Sequence, residues 1–140
     1  MKTGNSNDPQ LMELLKVLSL AEASLEDDSA PAMDVSTPIL RHALMVGAEG
    51  LRIVPGPKQS CVEYRLRGGW QEMFILEAAI SRHVTTWFKL LTGNVDISKK
   101  GIPQEGFIVL TGNPSGTRFL LKTEPVEHGE SVSISFERKR

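Results

Sequence analysis

Apolar residues near the N-terminus recur at helical spacing. They predict a first helix that runs to residue 26, with Asp8 as the N-cap and Pro9 as the first helical residue. The apolar face of this helix carries the candidate partner-binding residues Leu11, Leu14, Leu15 and Leu18. Two interpretations of this face stay open, docking of a partner or packing on the helix's own domain.

A second helix follows an acidic, proline-containing connector at residues 27–35. Its predicted start is the Ser36-Thr37-Pro38 signal and its predicted end is Gly47. The apolar pattern then changes to a period of two residues, which predicts strands at 51–54, 60–66 and 70–74. Because the turns between them are short, neighbouring strands should be antiparallel.

The longest helix is expected at residues 76–92, where a broad apolar stripe ends at Gly93. Three further strand-like runs follow at 107–111, 117–124 and 131–138. The expected fold class is α+β, a mostly antiparallel sheet of about six strands with helices packed on one side, plus the N-terminal helix. We assign residues 1–34 to the helix and linker and residues 35–140 to the α+β domain.

Length and composition limit the kinds of function and partner that we expect for this chain. The chain has 140 residues and a net charge of −1, so it fits one ordinary domain without bulk attraction to nucleic acid. The single cysteine, Cys61, excludes an internal disulfide and favours a reducing, cytoplasmic compartment. No apolar run approaches the length of a membrane span, and no signal-peptide core is present. We therefore expect neither a nucleic-acid partner nor direct membrane insertion.

The segment from Ile108 to Leu121 superficially resembles a strand that enters a phosphate-binding loop. Its glycines, Gly112 and Gly116, are one residue too close for that loop, and Thr117-Arg118 stand where Lys and Ser/Thr are needed. A strand pattern follows where a phosphate-binding loop requires a helix. The sequence therefore predicts a hairpin turn here.

No catalytic or metal-binding pattern stands out elsewhere. The histidines His42, His83 and His128 lie in three separate predicted elements, and no zinc spacing or nucleophile elbow is present. Cys61 lies in a strand-like run and is expected to be a packed side chain. We therefore expect no catalytic residues, no cofactor and no metal, and we expect that the chain is not an enzyme.

From Val35 onward, the order of segments resembles a known family. The most specific pieces are Lys89 to Gly106, with Asp96-Ile97 and Pro103-Gln104-Glu105-Gly106, and the turn Pro125…His128-Gly129-Glu130. In order and spacing they are similar to the domain that precedes the motor in type II secretion and type IV pilus assembly ATPases. The resemblance covers about three quarters of the chain, and the initial Met favours a free-standing protein over an excised domain.

The resemblance implies a PAS-like domain that binds protein. The expected partner is a secretion or pilus ATPase, another secretion component, or a second copy of the chain bound through the leucine-rich N-terminal helix. In the family this domain packs against neighbouring motors, and two arginines reach toward the motor's nucleotide. At those positions this chain has Phe107 and Leu120. An apolar side chain cannot meet phosphate charge, so the nucleotide-facing role is expected to be lost.

Two alternative functions stay open at this point. A small-ligand sensing domain would show a deep apolar pocket lined by Phe119, Tyr64 or Trp87. A small enzyme with an unrecognised site would show a cleft in which a histidine and carboxylates converge.

Overall fold

One antiparallel sheet and the helices on one of its faces make up the fold. The computed structural model describes residues 9–26, 34–99, 101–110 and 116–137. In chain order the elements are α1 (Pro9–Glu26), α2 (Ser36–Met45), β1 (Gly50–Pro55), β2 (Gln59–Leu66), β3 (Gly69–Glu77), α3 (Ala78–Thr92), β4 (Gln104–Ile108), β5 (Arg118–Val126) and β6 (Gly129–Glu137). The expected α+β class, with an N-terminal helix, is confirmed.

The sheet consists of two meanders joined at its centre. Its strand order is β3-β2-β1-β6-β5-β4, and every neighbouring pair is antiparallel. The central pair, β1 with β6, aligns Gly50 with Ser135 and Ile53 with Val132. Because these strands come from opposite ends of the domain, their pairing joins the two halves into one sheet.

The hydrophobic core lies between the sheet and the helices α2 and α3. Alternate strand residues point into it and are almost fully buried, among them Leu51, Ile53, Val62, Tyr64, Phe119, Leu121, Val132 and Ile134. From the helices, Ile39, Leu40, Val84 and Phe88 fill the other side. We call this side of the sheet the core face.

A polar link crosses the core between α2 and β2. The Tyr64 hydroxyl lies 2.8 Å from His42 Nδ1 and donates to the carbonyl oxygen of Ile39 at 3.4 Å. Burial strongly raises the pKa of Tyr64, so its hydroxyl stays protonated. His42 therefore has a structural position in this interior.

Helix α1 packs on the domain through part of its apolar face. Leu14 is 2% exposed and belongs to the core, and Leu18 is partly buried against it. Leu15 is 40% exposed, and the side chain of Leu11 lies outside the described part of the helix. The binding role of these four leucines stays a prediction, although Leu14 already serves the chain's own core.

Several element boundaries differ from those predicted. Asp34, which we placed in the linker, caps α2: its carboxylate accepts from the backbone N–H of Ser36 at 2.8 Å and from the Thr37 hydroxyl at 2.5 Å. Helix α3 begins two residues later than expected, because Leu76 still belongs to β3. Gly47 and Gly93 end their helices as predicted, with φ of 83° and 77°.

The segment between α3 and β4 is held by residues that carry the family resemblance. The Gln104 side chain accepts from the Asp96 N–H at 2.9 Å and donates to the Asp96 carbonyl at 3.0 Å. A side chain at Gly106 would overlap Asn94 and lie 3.1 Å from Val95 Cγ2. This part of the motif is therefore structural.

Strand β5 follows the glycine-containing segment, as the hairpin interpretation requires. It pairs antiparallel with β4, with Ile108 opposite Phe119. Residues 111–115, which include Gly112, lie outside the described residues. The next element after this segment is thus a strand, whereas a phosphate-binding loop leads into a helix.

A buried ion pair connects α3 to the β5–β6 turn. Lys89 is 2% exposed, and its ammonium lies 2.5 Å from Glu130 Oε1, while the Glu130 side chain is 12% exposed. The local sequence pattern gives no sign of this burial, because a charged residue in an amphipathic helix is expected on the solvent side. Because a buried charge needs a partner, each residue of the pair depends on the other.

We expect Asp34→Ala to destabilise the protein by about 1 kcal/mol, because two N–H groups at the start of α2 lose their acceptor. Urea denaturation followed by circular dichroism measures this change. Glu105→Ala, which removes an exposed carboxylate from β4, is the control and should have a much smaller effect. An equal loss in both variants would contradict the capping role.

Lys89→Met should lower the free energy of unfolding by about 3–5 kcal/mol, because it leaves Glu130 charged and buried without its partner. The double variant Lys89→Met/Glu130→Leu should recover much of this loss, since no unpaired charge remains. Chemical denaturation of the single and double variants gives both values. A single variant as stable as the parent chain would show that the pair is not needed.

Candidate functional site: the open face of the sheet

The second face of the sheet is not covered by the described helices, and we call it the open face. One row of residues crosses all of its strands in register: Trp70, Arg65, Gly50, Ser135, Leu120 and Phe107. The parallel row beside it consists of Glu72, Glu63, Arg52, Ser133, Lys122 and Glu105. On β1, β2, β5 and β6, the members of these rows alternate with residues that point into the core.

At the β3 end of the open face, arginines surround a tryptophan. The Arg52 guanidinium lies 4.2 Å from the centre of the Trp70 ring, and that of Arg65 lies 5.9 Å away. Arg52 also donates to Glu63 at 2.5 Å, which fixes its plane over the ring. Arg65 pairs with Glu49 at 3.5 Å. These contacts hold Trp70 in one position without burying it completely.

At the β4 end, the open face carries an apolar pair beside the charged residues Glu105 and Lys122. Phe107 is 42% exposed and lies directly opposite Leu120 on the neighbouring strand. The Arg118 guanidinium lies 4.4 Å from the centre of the Phe107 ring. The two positions at which the resemblance leads us to expect arginines are therefore cross-strand neighbours, and they form an apolar pair in this chain.

Small residues occupy the centre of the open face. Gly50, Ser133 and Ser135 lie on the paired strands β1 and β6, between the Trp70 end and the Phe107 end. The side chains at the centre of this row are thus shorter than those at its Trp70 and Phe107 ends. Exposed aromatic and arginine side chains around small residues are typical of a protein-binding surface.

Cys61, Glu63 and Glu72 place their ligand atoms within 4.8 Å of one another on this face. Burial, together with Glu72 and Glu63, raises the pKa of the Cys61 thiol. The thiol therefore stays protonated and is a poor metal ligand or nucleophile. Since Glu63 is also bound by Arg52, the group is explained by contacts within the chain.

The three histidines lie in different parts of the described structure. His42 is buried against Tyr64, His83 lies on α3, and His128 lies in the β5–β6 turn with Glu127 at 3.9 Å.

Among the described helices, none combines the length and the hydropathy that a transmembrane span requires. The structure brings together the two cross-strand rows of the open face, and sequence reasoning missed these rows because they depend on long-range strand register.

No protein-family model matches the chain. Curated relatives include the type II secretion system protein HxcR of Pseudomonas aeruginosa, 30% identical over 107 residues that cover 75% of this chain and 22% of that protein. The type II secretion system ATPase E of Vibrio cholerae is 26% identical over 133 residues, which cover 94% of this chain and 26% of that protein.

The type II secretion system protein E of Xanthomonas campestris is 27% identical over 103 residues, which cover 74% of this chain and 18% of that protein. The chain thus spans between 18% and 26% of the length of these relatives. The matched region includes most of the six-stranded domain described above. In sequence, the chain is therefore a relative of type II secretion ATPases that resembles their N-terminal, pre-motor domain.

Proposed function

We propose that the chain is a non-catalytic, cytoplasmic protein-interaction module of a type II secretion or type IV pilus system. Its open face docks on the motor of a secretion ATPase. The observation that carries this proposal is the row of side chains from Trp70 to Phe107, which no described helix covers. The similarity to a type II secretion system ATPase supports the cytoplasmic location.

The composition of the open face supports protein binding. Trp70 is pre-positioned by Arg52, and Phe107 by Arg118, so little side-chain freedom is lost when a partner binds. Rigid aromatic and arginine side chains supply much of the binding energy in protein interfaces. The small residues between them let the partner's backbone approach closely.

The chemistry of the chain supports a non-catalytic role. Phe107 and Leu120 cannot supply the charge that the family's arginines direct at the nucleotide. Among the described residues, the histidines are separated, and the Cys61 thiol is protonated and shares its surroundings with carboxylates. The alternative of a small-ligand sensing domain with a deep apolar pocket is less well supported. Tyr64 and Phe119, two of the residues expected to line that pocket, are fully buried within the packed core.

The pure chain should neither bind nor hydrolyse ATP in the presence of Mg²⁺. A phosphate-release assay and titration calorimetry measure both properties. Turnover that co-purifies with the chain through several columns and scales with its concentration would contradict the non-catalytic role.

Trp70→Ser and Phe107→Ser should each weaken binding to the purified type II secretion ATPase of the same organism by roughly tenfold or more. Both side chains lie on the open face and outside the core, so the fold should persist. Biolayer interferometry measures the affinity, and circular dichroism checks the fold.

Leu15→Ser is the matched control, because it removes an exposed apolar side chain from α1 and leaves the open face intact. It should bind like the parent chain. If Leu15→Ser alone abolishes binding, the N-terminal helix is the docking surface and the proposal for the open face is wrong.

A further inference from the structure

Two strands form the edges of the sheet, and they differ in how readily another strand can pair with them. At one edge, the register of β3 with β2 shifts between Val62 and Glu63, as at a β-bulge, and β3 carries the exposed acids Glu72 and Glu77. Bulges and charged side chains are common means by which an edge strand avoids pairing with another chain. At the other edge, β4 pairs with β5 in an uninterrupted register. The β4 edge is therefore the better candidate for pairing.

The outer side of β4, which faces away from β5, carries backbone groups that β5 does not bind. The Gln104 N–H donates toward β5, to Thr123 Oγ1 at 3.0 Å. The Val109 N–H, an odd number of residues further on, instead donates to a carbonyl oxygen of α3 at 3.2 Å. Because the direction of the backbone groups alternates along a strand, those of Glu105 and Phe107 face the outer side. Each of these two residues therefore offers a donor and an acceptor to another strand.

The part of the chain that the structure describes does not use these outward groups. Strand order places β4 at the edge of the sheet, and no backbone bond found there outside the helices and strands involves Glu105 or Phe107. Large apolar side chains are exposed along the same edge, since Phe107, Val109 and Ile102 are between 42% and 71% exposed. Outward backbone groups beside exposed apolar side chains favour the addition of a strand.

A second copy of the chain fits this edge. If two β4 strands pair antiparallel about a two-fold axis at Gly106, Glu105 of each copy lies opposite the partner's Phe107. Each such pair can exchange two backbone hydrogen bonds, so that all the outward groups of both residues are satisfied. The residue on the axis is a glycine and brings no side chain to the contact.

The charges at the edge are complementary in this arrangement. Glu105 is exposed, and the Arg118 guanidinium lies 4.4 Å from the centre of the Phe107 ring. No ion pair within the described ranges of the chain involves Glu105 or Arg118. Because Glu105 lies opposite the partner's Phe107, its carboxylate lies beside the partner's Arg118, and the two-fold axis forms this pair twice. The edge is thus complementary to itself.

We propose that the chain forms a two-fold symmetric dimer in which β4 pairs antiparallel with β4 of a second copy, so that two sheets become one. The paired segment is short and the interface small, so the dissociation constant should be on the order of 100 µM. The Trp70 end of the open face, at the opposite edge of the sheet, stays uncovered in this dimer.

Hydrogen exchange of the ¹⁵N-labelled chain, followed by NMR at about 20 µM and about 1 mM, tests the pairing. At the higher concentration, the amide protons of Glu105 and Phe107 should exchange roughly fourfold more slowly, because they are bonded in the dimer. The Gly106 amide, which is directed at β5, should change little. Sedimentation velocity should show a monomer–dimer equilibrium over the same range.

Charge reversal tests the register. Glu105→Arg should weaken the dimer by roughly tenfold or more, because two guanidinium groups then meet, and Arg118→Glu should do the same with two carboxylates. A mixture of these two variants should form a heterodimer about as strong as the parent dimer, because every new charge then meets its opposite. Glu72→Arg, on the other edge strand, is the matched control and should dimerise like the parent chain. Circular dichroism checks the fold of each variant.

A chain that stays monomeric at the higher concentration would overturn the proposal. A dimer that both charge reversals leave unchanged would overturn pairing through β4. A dimer that Leu15→Ser alone abolishes would instead place the contact on the N-terminal helix. All of these measurements use the pure chain, so none of them depends on whether the open face binds an ATPase.

Discussion

The structure depends on a sheet that the described helices cover on one face. In the four central strands, β2, β1, β6 and β5, alternate apolar residues lie on the core face, and α2 and α3 pack there. Helix α1 rests on these helices through Leu14, so no described helix covers the other face. A half-covered antiparallel sheet is stable when its second face is polar or carries a few ordered side chains, and here ion pairs and arginine–aromatic contacts order that face.

The sequence predicted the elements well because each depends on local periodicity and on turn residues. The alternation of Val62, Tyr64 and Leu66 predicts β2 from a few neighbouring residues, and Gly93 marks the end of α3 by its backbone conformation. The pairing of β1 with β6 could not be predicted in this way. It is decided by which distant strands share a core, and no local pattern encodes that choice.

The same limit applies to the sites. Trp70 and Phe107 were visible in the sequence, but their places at opposite ends of one row follow from the register of every strand between them. The burial of Lys89 likewise depends on Glu130, which lies at the start of β6 and is distant in sequence. The cap at Asp34 depends on local sequence instead, since the carboxylate accepts hydrogen bonds from Ser36 and Thr37, which lie two and three residues further along the chain.

The family resemblance and its departures fall on different parts of the molecule. Gln104 and Gly106, which carry the resemblance, build the connection from α3 to β4, and Glu130 anchors α3. Phe107 and Leu120, which depart from it, lie side by side on the open face. The residues that maintain the fold thus resemble the ATPases, while the surface at which we propose docking has a chemistry of its own.

The most direct test of this account is site-specific photocrosslinking in the native host, with a benzophenone amino acid placed at Phe107 or at Leu15. If the open face is the docking surface, the Phe107 position should crosslink to a type II secretion ATPase, and the exposed Leu15 position on α1 should not. Crosslinks to that ATPase from Leu15 alone, with none from Phe107, would contradict the account.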